Sequence, residues 1–355
     1  MNRREMLGSL AGGVSASLLA MPSPLFGEEP PKRTGLGIVT YCLNLLRRSQ
    51  GAAGRTSPLA DPLGFLEYCH QLGAGGIQVP LGTRDEAYAT QLRNKAETLG
   101  MFIEAIAGLP NDRAGVERFD ATVRTAKRAG APTLRVVIIP GRRYERFESA
   151  EEFRQFAARG LKSLELAAPV AQRHRIPLAV ENHKDQRLDE RLDVLRRISS
   201  EYVGTCVDVG NSFALMEDPV QVVETYAPWA FSVHLKDQAV RPYEDGFLLA
   251  DVALGDGFLD LPKMVEILRK AKPEIRFSLE VITRDPLKVP CLTEEFWATF
   301  AAVPGRDLAR TLRTVRDKAA ESLARVSHLP LDQQVKCEEE NVRKSLAYAR
   351  DRLAI

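Results

Sequence analysis

The chain has 355 residues, 45% of them hydrophobic and 27% charged, with a formal net charge of +2. That is an ordinary soluble composition with length enough for one large core, and its dispersed Lys and Arg leave no nucleic-acid footprint. The five Cys, at 42, 69, 206, 291 and 337, contain no CxxC pair, which excludes a zinc ribbon and a CxxC redox motif.

The first residues read as a targeting segment. Arg3-Arg4 with Met6-Leu7 precedes a weakly apolar run, GSLAGGVSASLLAM, and then Pro and Ser. This pattern resembles a twin-arginine export signal over residues 1–29. The apolar run is too short and interrupted for a membrane span. The expectation is a periplasmic or otherwise extracytoplasmic protein with no stable membrane anchor after cleavage.

From there, apolar runs alternate with amphipathic helical patterns. Gly35–Tyr41 reads as a strand, and Asp61 caps a helix running to Leu72. Gly75–Leu81 is the next strand, followed by a helix over Arg84–Leu99 that Gly100 stops. Met101–Ala107 is a strand and Val116–Arg128 a helix. Leu134–Ile139 is the fourth strand, and a long helix covers Ser149–His174. Pro177–Glu181, Val203–Asp208, Phe231–His234 and Ile275–Glu280 complete eight strands, with helices near 187–199, 218–226 and 261–272 between them. Eight strands alternating with helices predict a (β/α)8 TIM barrel over residues 34–292. A doubly wound open sheet is the competing arrangement. Beyond the barrel, residues 293–355 predict a C-terminal helical extension, with helices over Glu294–Val303, Leu308–Ser327 and Gln333–Ala354. Such an extension can pack on the barrel or form a homo-oligomer contact.

Four metal-binding residue types end the last four apolar runs: Glu181, Asp208, His234 and Glu280. The C-terminal edge of a barrel strand is where this architecture places its chemistry. The separations are 27, 26 and 46 residues. The first two match one βα unit each. The third includes an extra loop over Asp237–Phe258, a candidate lid. A closed barrel brings four successive strand ends together, whereas an open sheet does not. Three carboxylates and one imidazole suit a single divalent ion, Mn²⁺, Mg²⁺, Co²⁺ or Zn²⁺. His183, two residues after Glu181, returns to the same strand face and is a candidate substrate ligand. Lys236 relates to His234 in the same way, and Asp237 can orient either Lys236 or His234. Glu104, near the end of the third strand, is a further candidate for the site. His70, His174 and His328 lie in helical patterns and read as packing or surface residues.

Val180-Glu181-Asn182-His183, Asp208-Val209-Gly210-Asn211, His234-Leu235-Lys236-Asp237 and Leu279-Glu280 occur in this order, each at a strand end. Together they resemble the xylose isomerase-like TIM-barrel superfamily of sugar phosphate isomerases and epimerases, over residues 35–290. The resemblance implies a carbohydrate substrate whose carbonyl and adjacent hydroxyl are held by the ion. It also implies that Glu181 and Glu280 act as the acid/base pair through an enediolate. Two departures stand out. Sugar epimerases of this superfamily often carry His three residues after the metal Asp, where this chain has Asn211. They often carry a substrate-binding Arg six residues after the metal His, where this chain has Val240, with Arg241 one further. Asn211 and Arg241 therefore join the candidate substrate-binding residues. The endonuclease branch needs a three-zinc cluster with more His than the five present here. The expected activity is isomerisation or epimerisation. A lyase or dehydratase acting on a 3-keto-sugar or 3-keto-glycoside and a non-catalytic sugar-binding barrel are the alternatives.

Overall fold

The computed structural model describes residues 32–51, 56–300 and 302–355. The expected export signal over residues 1–29 lies outside the described residues. Eight parallel strands close into a barrel: β1 (Gly37–Val39), β2 (Gly76–Pro80), β3 (Phe102–Ile106), β4 (Leu134–Val136), β5 (Leu178–Glu181), β6 (Val203–Asp208), β7 (Ala230–Leu235) and β10 (Phe277–Leu279). They pair in the order β1-β10-β7-β6-β5-β4-β3-β2, which returns to β1. Closure leaves this eight-stranded sheet without an edge and decides against the open sheet.

The strands are buried on both faces, which is why they read as continuous apolar runs rather than alternating ones. The short helix α1 (Asn44–Gln50) follows β1, and the barrel helices are α2 (Pro62–Gln71), α3 (Glu86–Leu99), α4 (Arg113–Arg128), α6 (Ala150–His174), α7 (Leu188–Ile198), α8 (Pro219–Tyr226) and α9 (Leu261–Ala271), with the short α5 (Arg143–Arg146) just before α6. Most start on an acidic or hydroxyl cap. Asp61, Asp85, Asp112, Ser149, Asp218 and Asp260 each accept a backbone N–H of the first turn. Gly100 ends α3 at φ +61°, a conformation that favours glycine. All five cysteines are free, and Cys206 is fully buried in the core as its apolar setting predicts. No helix among the described residues is long and apolar enough to cross a membrane.

The segment expected as a loop over Asp237–Phe258 is instead a β-hairpin. β8 (Asp237–Tyr243) pairs antiparallel with β9 (Gly246–Val252), and β11 (Leu287–Val289) adds a third strand. This sheet packs its own apolar side chains, including Val240, Phe247, Leu249 and Val289, with Phe213 and Phe296 in a second core. Asp237 ties the hairpin to its return. Its Oδ1 accepts the N–H groups of Gln238 and Leu259, and its Oδ2 those of Gly255 and Gly257. Asp237 thus spends its oxygens on backbone and does not orient Lys236 or His234. A Cβ at position 257 would sit 2.1 Å from Asp237 Oδ1, so only glycine allows this approach.

The C-terminal extension is helical in part. The short helix Glu294–Trp297 and the helix Gly305–Asp317 precede a long one, Leu331–Arg352. The second helix stops ten residues before its expected end at Ser327. There Ala319 bridges Val240 and the Ala320 N–H donates to the Val240 carbonyl at 2.9 Å, so the hairpin edge captures the chain. The long helix packs on the barrel against the short helix Asn44–Gln50 that follows β1. Its Glu338, 1% exposed, accepts the N–H groups of Leu45 and Leu46 at 2.9 Å each. These are donors of a helix start that has no other side-chain cap. Glu338→Ala strands both donors and should destabilise the fold by about 1–3 kcal/mol, read as a lower urea midpoint with an unchanged slope.

Candidate functional site

Adjacent strand ends bring the four candidate ligands into one buried cluster. The register pairs Asp208 with His234, and Ser278, two residues before Glu280, also with His234. One donor atom from each of Glu181, Asp208, His234 and Glu280 lies within 4.8 Å of the others. His234 Nδ1 stands 3.6 Å from Glu181 Oε2, 3.8 Å from Asp208 Oδ2 and 3.6 Å from Glu280 Oε1. Two donors each about 2.1 Å from a shared ion lie roughly 3–4 Å apart, so these separations fit one divalent ion. His234 Nδ1 is buried without a hydrogen-bond partner among the described residues. Such an atom is costly unless something binds it.

The surrounding bonds aim each ligand. His234 donates from Nε2 to Gln78 Oε1 at 2.8 Å, which leaves the Nδ1 lone pair facing the carboxylates. Gln78 donates in turn to Glu104 Oε2 at 2.9 Å, and Ser232 does so at 2.7 Å. Asp208 Oδ1 accepts the backbone N–H groups of Gly210 and Asn211 at 3.0 and 2.8 Å, turning Oδ2 to the centre. Asn182 extends the ladder between β5 and β6. Its amide donates to the Asp208 carbonyl at 2.9 Å and accepts the Asp208 N–H at 2.8 Å.

Cations offset the crowded carboxylates. Arg135 on β4 pairs with Glu181, and Lys236 Nζ bridges Asp208 Oδ2 at 2.8 Å and Glu280 Oε2 at 2.6 Å. Burial alone would push every carboxyl up. It is the largest single influence at Glu181 and Glu280, but Arg135 and His234 together outweigh it at Glu181, and Lys236, His234 and Arg135 together at Glu280, so both are held below the usual carboxylate range. At Asp208 burial wins, and the carboxyl is pushed up to about 6.

The structure distributes the remaining candidates unevenly. Lys236 is in the cluster. Asn211 is beside it, its Nδ2 3.3 Å from Glu181 Oε1. His183 is half-buried and bonded through Nδ1 to the Gly141 carbonyl at 2.9 Å, which leaves Nε2 uncommitted by that bond. Glu104 does not enter the substrate side of the site. Its carboxylate sits in a polar layer with Gln78, Ser232 and Ser278, and burial pushes it up. Arg241 is also not gathered in. It lies on β8 with its side chain exposed, while its neighbour Val240 fills the second core. Strand alternation sends the two to opposite faces. Three contributors escape the sequence patterns: Gln78, Arg135 and Lys184. Gln78 and Arg135 left a readable signal, since a polar residue inside GIQVP or TLRVV must find a partner once the strand is buried.

A closed eight-stranded barrel with a ligand cluster at the C-terminal ends of its strands defines the class: a TIM barrel with a site that can hold a metal ion. The chain belongs to the xylose isomerase-like TIM barrel family, whose model matches residues 66–299. It is similar to 3-oxo-isoapionate decarboxylase of Pectobacterium atrosepticum, with 27% identity over 235 residues, 63% of this chain and 80% of that one. Its fold is similar to D-psicose 3-epimerase from Clostridium cellulolyticum H10, at TM-score 0.57 and 12% identity, covering 89% of this chain and 98% of that one. It is also similar to 3-keto-D-glucoside 4-epimerase from E. coli, at TM-score 0.51 and 14% identity, covering 80% and 100%.

Two measurements check this geometry. Gln78→Leu releases the His234 ring and should weaken Mn²⁺ binding by about 10- to 100-fold in calorimetry, with the circular dichroism spectrum retained. Protons compete with the ion for Asp208, so affinity should rise with pH and level off above about 6. Asp208→Asn should flatten that rise.

Proposed function

We propose that the protein is a divalent-metal-dependent sugar isomerase or epimerase that removes a proton next to the carbonyl of a carbohydrate. The observation that carries this reading is the set of four converging donors with His234 Nδ1 buried and unpartnered among them. Mn²⁺, Mg²⁺, Co²⁺ or Zn²⁺ bound there would supply Lewis-acid polarisation of the carbonyl and its neighbouring hydroxyl.

The protein's own groups handle the proton. Glu181 and Glu280 are both ionised near neutral pH, so either can accept the carbon-bound proton at the start. Glu280 keeps Oε1 clear of Lys236, which engages Oε2. Lys236 and Arg135 hold positive charge beside the two carboxylates and stabilise negative charge developing on the enediolate. His183 keeps Nε2 uncommitted by its bond to Gly141, so it can bond a substrate hydroxyl. The surrounding protein leaves the four ligands at most 7% exposed, and this excludes bulk water from the reacting carbon. Export through the N-terminal Arg3-Arg4 segment would give the enzyme extracytoplasmic carbohydrates as substrates.

A lyase is the second reading. Its support is the sequence similarity to a decarboxylase named for a 3-oxo acid. The same electron sink accepts a pair whether C–H or C–C bonding electrons feed it.

The test is a panel of keto-sugars and 3-keto-glycosides in D₂O with Mn²⁺, followed by NMR. Deuterium should enter at the carbon next to the carbonyl, and Glu181→Gln or Glu280→Gln should slow this by about 10²- to 10⁴-fold. A panel member that releases water or an aglycone, whether or not deuterium enters, selects the lyase, whereas products of unchanged mass apart from the deuterium select the isomerase. Full exchange in both variants overturns the acid/base assignment, and a protein that binds substrates without any exchange is a sugar-binding barrel.

A further inference from the structure

Lys184 is the group that the chemistry above leaves unused. It lies in the segment after β5, 3% exposed, and its position is fixed from both sides. Its carbonyl accepts the Arg143 N–H at 2.8 Å, and the next residue, Asp185, forms a fully buried ion pair with Arg191 at 2.8 Å. The ammonium is aimed at the site. It donates to Asn211 Oδ1, the same oxygen that Lys236 Nζ approaches at 3.3 Å.

The two lysines differ in what balances them. Lys236 has Asp208 and Glu280 within ion-pair distance. Among the described residues, Lys184 has no carboxylate within that distance, and its acceptor is one neutral amide oxygen. A buried ammonium has three donors and a large desolvation cost. Burial and the nearby Lys236 pull it down to about 8, and Asp251 only partly counteracts them. Asp251 is itself committed to Arg284 Nη2 at 3.2 Å.

The charges of the pocket point the same way. Glu181, Asp208, Glu280 and Asp251 face Arg135, Lys184, Lys236 and Arg284, so the group is in balance before any ion enters. A divalent ion leaves it two charges positive. An uncharged ketose forming an enediolate under those cations restores only part of the balance. A substrate with its own negative charge restores more of it and gives Lys184 a partner.

Resting on the metal-dependent reading above, we propose that the substrate is a sugar acid and that the Lys184 ammonium binds its carboxylate. A carboxylate fits this subsite better than a phosphoryl group. One ammonium with two unspent donors matches a monoanion, whereas a phosphate dianion calls for several donors or a nest of backbone N–H groups.

The experiment is calorimetric titration of the Mn²⁺-loaded full chain with three stable probes. 2-Keto-D-gluconate and D-fructose differ only in a carboxylate against a hydroxymethyl group, and D-fructose 1-phosphate carries a phosphoryl group instead. The acid should bind at least about tenfold tighter than fructose, the scale of one charge-assisted hydrogen bond. Lys184→Gln should abolish that advantage while fructose and Mn²⁺ still bind, and Lys184→Arg should keep it. An acid that binds no better than fructose, an advantage that survives in Lys184→Gln, or tighter binding of the phosphate ester would each overturn the proposal. Mn²⁺ binding is read separately. Its absence would count against the metal-dependent reading, while the dependence of acid binding on Lys184 would still be measured on the ion-free protein.

Discussion

Mutual repulsion among Glu181, Asp208 and Glu280 is the constraint to which the rest of the site answers. Two unit charges 4 Å apart at an effective dielectric near 20 repel by about 4 kcal/mol, and these three side chains are almost wholly withdrawn from water. Arg135 neutralises one carboxylate, and Lys236, bridging Asp208 and Glu280, supplies one charge for two. One negative charge and the lone pair of His234 are left over. A purely structural network would pair its members off and satisfy their buried atoms, because a half-satisfied polar network costs more than an apolar core. This one keeps His234 Nδ1 unpartnered where the carboxylates converge. A buried imidazole lone pair facing a surplus of carboxylate charge is what a ligand site looks like before the ligand arrives.

That arrangement persists because the layer beneath it is rigid. A barrel interior is ordinarily filled with branched apolar side chains. Here β2, β3, β7 and β10 contribute Gln78, Glu104, Ser232 and Ser278 at one level, bonded to each other and upward to His234. Glu104 supports the site from below rather than lining it. The amide of Gln78 passes the constraint on: its two ends can satisfy Glu104 and His234 together in one orientation only, which fixes the imidazole tautomer.

The sequence discloses the frame and the four ligands because both depend on local signals. Eight apolar runs at βα spacing dictate a barrel, and a carboxylate or imidazole closing such a run falls at its catalytic end. What it conceals depends on pairing between distant segments. The hairpin over 237–252 reads as a loop because its stability comes from a second core with Phe213, Val289 and Phe296 rather than from its own pattern. The helix that ends at Asp317 carries helical periodicity to Ser327, but the edge of β8 outcompetes it. Arg241 is placed near the site by counting along the chain, and the alternation of β8 turns it away. Lys184 hides for a different reason: an ammonium near a site looks like a rim cation until burial shows that it has no water and no counter-ion.

These concealed elements change the site's physics more than its geometry. The hairpin sheet and its helix cover part of the catalytic face, with Asp251 on β9 adding charge to the pocket from above. The C-terminal helix closes the seam beside β1, where Glu338 caps the helix that follows that strand. Both additions lower the local dielectric and so strengthen every charge interaction inside. A (β/α)8 barrel with an open mouth could hold the same four ligands in a wet cleft, where water screens Lys184 and Lys236 and neutral and charged sugars compete on hydroxyl contacts alone. Enclosed, the surplus positive charge has no solvent to relax into. The covering elements therefore convert a generic divalent site into one in which the charge of the substrate becomes the largest available discriminator.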